Sequence, residues 1–255
     1  MTGTHFDLTG RRALITGSSM GIGLALARGL AEYGAAVVLN ARDQSRLKDA
    51  ADGLRGQGFD ADAMAFDVTD PSAVQAAVTR IEAESGPIDI LINNAGMQFR
   101  APLEDFPEEK WDLLLRTNVT SAFLVGKAVA KHMIPRGAGK IINIASVQSE
   151  LARPGIAPYT ATKGAIRNLT RGMATDWARH GLQCNAIAPG YFQTPLNQAL
   201  VDDPKFTAWL EQRTPAGRWG RVEELIAAAV FLSGPGSSFV NGHTLYVDGG
   251  MTASI

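Results

Sequence analysis

The 255 residues carry 24 Lys and Arg against 25 Asp and Glu, a formal net charge of -1, which excludes a general polyanion binder because phosphate-backbone affinity needs clustered cations. One cysteine, Cys184, excludes an internal disulfide, and four scattered histidines without ligand spacing give no support for a metal centre. With 45% hydrophobic and 19% charged residues, no leader-like N-terminus and no apolar run approaching about 18 residues, the expectation is a cytoplasmic protein with no membrane or nucleic-acid partner.

Short β-rich runs alternate with helical patterns along the whole chain. The strand candidates are RRALIT (11–16), AAVVLN (35–40), ADAMAFDV (61–68), IDILINN (88–94), GKIINIA (139–145), LQCNAIA (182–188) and HTLYVD (243–248). Helical patterns fill 21–34, 44–56, 71–86, 108–133, 158–181 and 222–234, several of them ending in glycine as left-handed caps do. The strands are apolar with little alternation, as expected when helices cover both faces of a sheet. The expected fold is therefore α/β: one Rossmann-type, doubly wound domain over 1–255 with a seven-stranded parallel sheet. Cys184 falls within a strand and reads as a core residue. Residues 191–221 carry three prolines and weak periodicity, and read as a lid over a site.

The first strand leads into ITGSSMGIG, where Gly17, Gly21 and Gly23 form a Gly-x-x-x-Gly-x-Gly array around Ser18 and Ile22. Such a turn lets the backbone approach a pyrophosphate that rests on the helix N-terminus. Taken alone, the array is equally a flexible turn. At the end of the second strand, VVLNARD places Asn40 where a carboxylate would bond a ribose 2′-hydroxyl, and Arg42 two residues later. Arg42 reads either as a solvated cation or as the partner of a 2′-phosphate, with the Ser18 hydroxyl as a second contact. Asp43 argues the other way; on Arg42 and Ser18 the reading is nonetheless NADP in preference to NAD.

In APYTATK (157–163), Tyr159 and Lys163 share one helix face. A phenol titrates near 10, and bringing it to neutral pH requires about 4 kcal/mol of preferential stabilisation of the anion. A desolvated ammonium could supply much of that. No acid lies nearby in sequence to compete for the lysine.

The array of glycines, NNAG (93–96), Asn118, Ser146, the Tyr159/Lys163 pair and PG (189–190), in this order and spacing, resembles the short-chain dehydrogenase/reductase family over residues 6–252. The resemblance implies NADP-linked hydride transfer to or from a carbonyl carbon. It implies that Tyr159 donates the proton, Ser146 bonds the carbonyl oxygen, Lys163 also holds the nicotinamide ribose, and Asn118 positions a relay water. It further implies that Asp67 and Val68 hold the adenine, and that Asn94, Ala95 and Gly96 lie along the cofactor. Pro189, Gly190 and Phe192 would cradle the carboxamide, with Thr194 on the pyrophosphate, in a homotetramer.

Between Ser146 and Tyr159 the chain reads VQSELARPGIAP. Gln148, Glu150 and Arg153 there, with Arg100 after NNAGMQF, suit a polyhydroxylated sugar acid, whose hydroxyls and carboxylate need protein partners in place of water. Each arginine reads equally as a surface charge. Trp209 and Trp219 either line the lid or pack it down. The competing readings are another reductase on the same scaffold, such as one acting on a 3-oxoacyl thioester, and a non-catalytic NADP-binding protein.

Overall fold

The computed structural model describes residues 5–254. Seven strands, β1 (Arg12–Ile15), β2 (Ala36–Leu39), β3 (Ala61–Ala63), β4 (Ile90–Asn93), β5 (Gly139–Ile144), β6 (Leu182–Pro189) and β7 (Thr244–Val247), form one sheet in the order β3-β2-β1-β4-β5-β6-β7. Every neighbouring pair is parallel, so all strands present their carboxyl ends to the same side. The order reverses between β1 and β4, the crevice where open α/β sheets bind ligands.

Alternate side chains of each strand serve opposite layers. Ala13, Ile15, Val37, Leu39, Ile90, Ile92 and Ile142 pack in one core with Leu26, Leu30 and Val230, from α1 (Gly21–Glu32) and α9 (Ile226–Ser233). Leu14, Val38, Leu91 and Ile141 point to the other face. There they meet α3 (Pro71–Arg80), α5 (Ser121–Arg136) and α6 (Ala157–Trp177) through Val78, Val125, Val129 and Met173. Cys184 is fully buried in that second layer, and burial pushes its thiol up to about 12.

Three expectations need correction. The third strand pairs only over Ala61–Ala63, because beyond it the buried Asn40 amide donates to the Met64 and Phe66 carbonyls at 3.2 and 3.1 Å, replacing a strand ladder. The pattern 108–133 is not one uniform helix. It comprises α4 (Glu108–Leu115), a π-helical turn at Arg116–Thr120, and α5. Such a widened turn commonly marks a functional position. The 191–221 segment is far from irregular: α7 (Gln198–Val201) and α8 (Pro204–Arg213) lie within it. The Asp203 carboxylate caps α8 by accepting from the Lys205 and Phe206 amides, and Pro204 occupies the first turn.

The other helix of the frame, α2 (Gln44–Arg55), runs along the edge with an Asp43 cap. Among the described residues no helix is long and apolar enough to cross a membrane.

Candidate active site

The glycine turn is locked by neighbours rather than loose. Thr16, 2% exposed, accepts through Oγ1 from the Asn94 and Ala95 amides, both at 3.0 Å, and so pins the end of β4 to the end of β1. The Asn94 side-chain amide returns the contact, its Nδ2 donating to the Thr16 and Gly17 carbonyls, each at 2.9 Å. Thr16 was not singled out from sequence; a hydroxyl before the first glycine was its only signal. Space forces two of the glycines. A Cβ on Gly17 would lie 2.8 Å from Ala95 Cα, and one on Gly23 would lie 2.4 Å from the Gly17 carbonyl oxygen. Gly17 and Gly21 also adopt φ of 63° and 58°, in the left-handed region. Met20 gives α1 no side-chain cap, and the uncapped first amides of a helix, here those of Gly21, Ile22 and Gly23, are of the kind that suit an anion.

Ser18 departs from its expected role. Its side chain is fully buried, its Oγ donates to the Ile15 carbonyl at 2.7 Å and accepts from the Asn40 amide at 3.0 Å, so no hydroxyl is offered to a phosphate. Asn40 is likewise scaffold, 1% exposed. Arg42 is exposed at the β2 end, and Asp43 is spent capping α2 by accepting from the Arg46 amide at 3.1 Å. Arg46 also brings a guanidinium nitrogen to 3.7 Å from the Met20 sulfur, beside the glycine turn. Asp67 accepts from the Thr69 amide and hydroxyl, both at 2.8 Å, through one carboxylate oxygen, and Val68 is buried beside it.

At the other side of the crevice, Ser146 follows β5, is 8% exposed, and accepts from the Gln148 amide at 3.1 Å. The half-buried Tyr159 and the buried Lys163 come from the first turns of α6, with the Lys163 Nζ 5.6 Å from the Tyr159 ring centre. Burial pushes the phenol up to about 12, only partly offset by a hydrogen bond with Ser146, and pushes the lysine down to about 8. The phenol therefore does not have the low pKa expected from a neighbouring ammonium. Burial is the dominant cause, and Lys163 Nζ donates to the Ile144 carbonyl at 2.7 Å. Among the described residues no carboxylate pairs with it.

Asn118 sits in the π-helical turn, 3% exposed. Its Oδ1 accepts from the Met97 amide at 2.8 Å, and its Nδ2 donates to the Met97 carbonyl at 3.0 Å and to Thr162 Oγ1 at 3.1 Å. The side chain thus ties the loop through Gly96 to α6, with both of its amide hydrogens spent within the protein. Gly190 follows β6 so closely beside Asp248 that a Cβ there would lie 2.8 Å from the Asp248 Cα. The Phe192 carbonyl accepts from Asn197 at 3.1 Å, and Thr194 is 8% exposed at the start of the next turn.

The substrate side brings together Gln148, Arg153, Arg100 and one residue not anticipated, Tyr191. Arg153 Nε and Gln148 Nε2 donate to the Tyr191 hydroxyl at 3.0 and 3.5 Å. Arg100 is exposed. Partial burial of its guanidinium and the like charge of Arg153 hold its pKa below the usual guanidinium value, while Tyr191 and Tyr159 act in the opposite sense, so the four groups lie within electrostatic reach of one another. Glu150 leaves this pocket: it pairs with Arg167 and accepts from the Tyr246 hydroxyl at 3.1 Å. Trp219 is buried and Trp209 is 42% exposed; both meet the Tyr191 ring edge-on, with centres at 6.0 and 6.2 Å.

A family model described as enoyl-(acyl carrier protein) reductase matches residues 17–252. Gluconate 5-dehydrogenase of Gluconobacter oxydans is 64% identical over 98% of both chains. 5-Keto-D-gluconate 5-reductase of Escherichia coli K12 is 53% identical over the same shares. Among solved structures, a gluconate 5-dehydrogenase from Burkholderia cenocepacia in complex with NADP and tartrate aligns over 100% of both chains, with a TM-score of 0.98 and 59% identity. With the parallel sheet, the glycine turn and the Ser146, Tyr159 and Lys163 cluster in one crevice, these relatives make the chain an oxidoreductase of the short-chain dehydrogenase/reductase family.

Proposed function

We propose that this protein reversibly interconverts D-gluconate and 5-keto-D-gluconate with NADP in preference to NAD. The observation that supports the substrate reading is that two guanidiniums, Arg100 and Arg153, lie near enough to act on one another and on the Tyr191 and Tyr159 phenols. Among the described residues neither has a carboxylate partner, and neighbouring cations of this kind call for an anionic ligand. An acyl chain would leave them and the buried Gln148 unsatisfied. The gluconate relatives support the same choice.

The residues fit a dinucleotide. The uncapped α1 amides and the glycine turn suit a pyrophosphate, and exposed Arg42 suits a 2′-phosphate. When bound, NADP supplies or accepts the hydride. The protein's own residues do the rest. Tyr159, wholly protonated at neutral pH with a pKa near 12, donates its proton to the carbonyl oxygen in reduction. Ser146 bonds the same oxygen and orients it. Lys163 would hold the nicotinamide ribose of bound NADP, and its ammonium, where it comes nearer the phenol, would lower the pKa of Tyr159. Asn118 holds the Met97 loop against α6 and so fixes the floor of the pocket.

In this reading Asp67 and Val68 meet the adenine, Asn94, Ala95 and Gly96 flank the cofactor, and Pro189, Gly190, Phe192 and Thr194 hold its nicotinamide end. Residues 191–221 act as the lid of a single cytoplasmic domain. Exposed Trp111, Phe123 and Phe239 offer apolar surface for a homotetramer to cover. The test is a steady-state screen of 5-ketogluconate, neutral ketoses and 3-oxoacyl thioesters with NADPH and NADH. The highest kcat/KM is expected for 5-ketogluconate with NADPH; preference for a thioester, or turnover of none of them despite cofactor binding, overturns the proposal.

A further inference from the structure

Tyr191 is the first residue of the 191–221 segment and the meeting point of three parts of the pocket. Its hydroxyl accepts from Arg153 Nε at 3.0 Å and from Gln148 Nε2 at 3.5 Å. A phenol oxygen has two lone pairs and one proton, so two donors leave the O–H itself to be given away. Gln148 is 6% exposed, and its Oε1 is buried without a hydrogen-bond partner. Turning the amide over would let Oε1 take the Tyr191 proton but would leave an NH2 group buried with its hydrogens unspent. In both orientations the pair retains polar capacity that the protein does not use, beside Arg100 and Tyr159. Buried polar groups of this kind cost stability unless a partner arrives.

The aromatic surroundings hold the pair in place. Tyr191 packs against Phe206 at 5.6 Å, edge-on to Trp209 and Trp219, and the Arg153 guanidinium stacks over Phe206 at 5.4 Å. Two aromatics of this cluster, Phe206 and Trp209, come from α8, so the helix of the lid segment and the polar end of the pocket are one packed unit.

We propose that Tyr191 is a substrate-binding residue. Its O–H donates to the carboxylate end of the sugar acid alongside Arg153 and Arg100, while Gln148 Oε1 accepts from a substrate hydroxyl. The proposal rests on the sugar-acid reading above, and supplies the acceptor and third donor that two arginines alone lack. It also makes seating of the acid register directly in the α8 aromatics.

The experiment compares wild type and Tyr191→Phe on 5-ketogluconate and on a neutral ketohexose, with NADPH affinity measured by fluorescence titration. If wild type does not favour the keto acid over the neutral ketose, the sugar-acid reading fails, and this inference with it. Given that preference, Tyr191→Phe is expected to raise KM for the keto acid roughly 10- to 100-fold, the loss typical of one hydrogen bond to a charged group. NADPH affinity and kcat/KM for the neutral ketose should stay within about threefold. An unchanged keto-acid KM, or an equal loss on both substrates, overturns the role of Tyr191. If Tyr191→Phe fails to bind NADPH, Gln148→Met replaces it, being of similar volume and outside the aromatic cluster. A KM rise of about 5-fold or more then supports the proposal, and an unchanged KM overturns it.

Discussion

Replacing Lys163 with methionine should stabilise the unliganded protein at neutral pH relative to wild type more than at alkaline pH. The lysine titrates at about 8 when folded against 10.5 when exposed, because burial disfavours the ammonium. The unfolded chain therefore binds more protons between these values, and wild-type stability rises with pH across that window. Below pH 8 the folded state carries a cost of roughly 3 kcal/mol for keeping the charge, at about 1.36 kcal/mol per pH unit. By pH 9.5 about 2 kcal/mol of it has been relieved. Lys163→Met has no such cost at any pH, though it orphans the Ile144 carbonyl, a loss of about 1 to 3 kcal/mol that is independent of pH. Urea unfolding at pH 7 and 9.5, without cofactor, should show the difference between variant and wild type move by about 2 kcal/mol in favour of wild type at the higher pH. A difference constant to within about 0.5 kcal/mol would refute the claim that Lys163 is held as a desolvated cation.

Alcohol oxidation needs Tyr159 as phenolate, whereas reduction uses the phenol; with the phenol near 12 before ligands bind, kcat/KM for oxidation should rise with pH through about 9, and a flat profile would remove Tyr159 as the base. Arg42→Ala should lower the ratio of NADPH to NADH efficiency about 10-fold or more, since one charge-assisted contact is worth that much; an unchanged ratio in initial-rate kinetics places the 2′-phosphate elsewhere. Thr16→Val removes the acceptor of two backbone amides and should cost about 2 to 3 kcal/mol in urea unfolding, with NADPH binding weakened, while Thr16→Ser retains both.

The sheet was legible because apolar runs separated by helical periodicity leave little choice of topology, and both layers of Leu14 and Ile15 neighbours follow from it. The third strand is shorter than its apolar pattern over 64–68 suggests because an asparagine just past β2, Asn40, takes up the carbonyls; sequence order does not show such a partner. The helix α8 was legible in principle, since Asp203-Pro204 is a capping signal, but Pro195 and Pro215 on either side masked it. The catalytic set was readable as types at spacings, and its electrostatics were not. The Ile144 carbonyl that holds Lys163 is a backbone atom, anonymous in sequence, and the burial that raises Tyr159 belongs to the whole pocket. Tyr191 was invisible for a related reason: what distinguishes it from any aromatic after Pro-Gly is the convergence of side chains from positions 148 and 153.

The Thr16 pin joins residues 78 and 79 positions apart in the chain. The floor of the cofactor crevice is consequently a long-range object, absent until β4 has docked beside β1 with two strands and three helices already laid down between them. A nascent chain that stops short of residue 95 holds every glycine of the turn yet cannot close it. Cofactor capture during refolding therefore reports the joining of the two sheet halves, and should lag behind the appearance of helical signal.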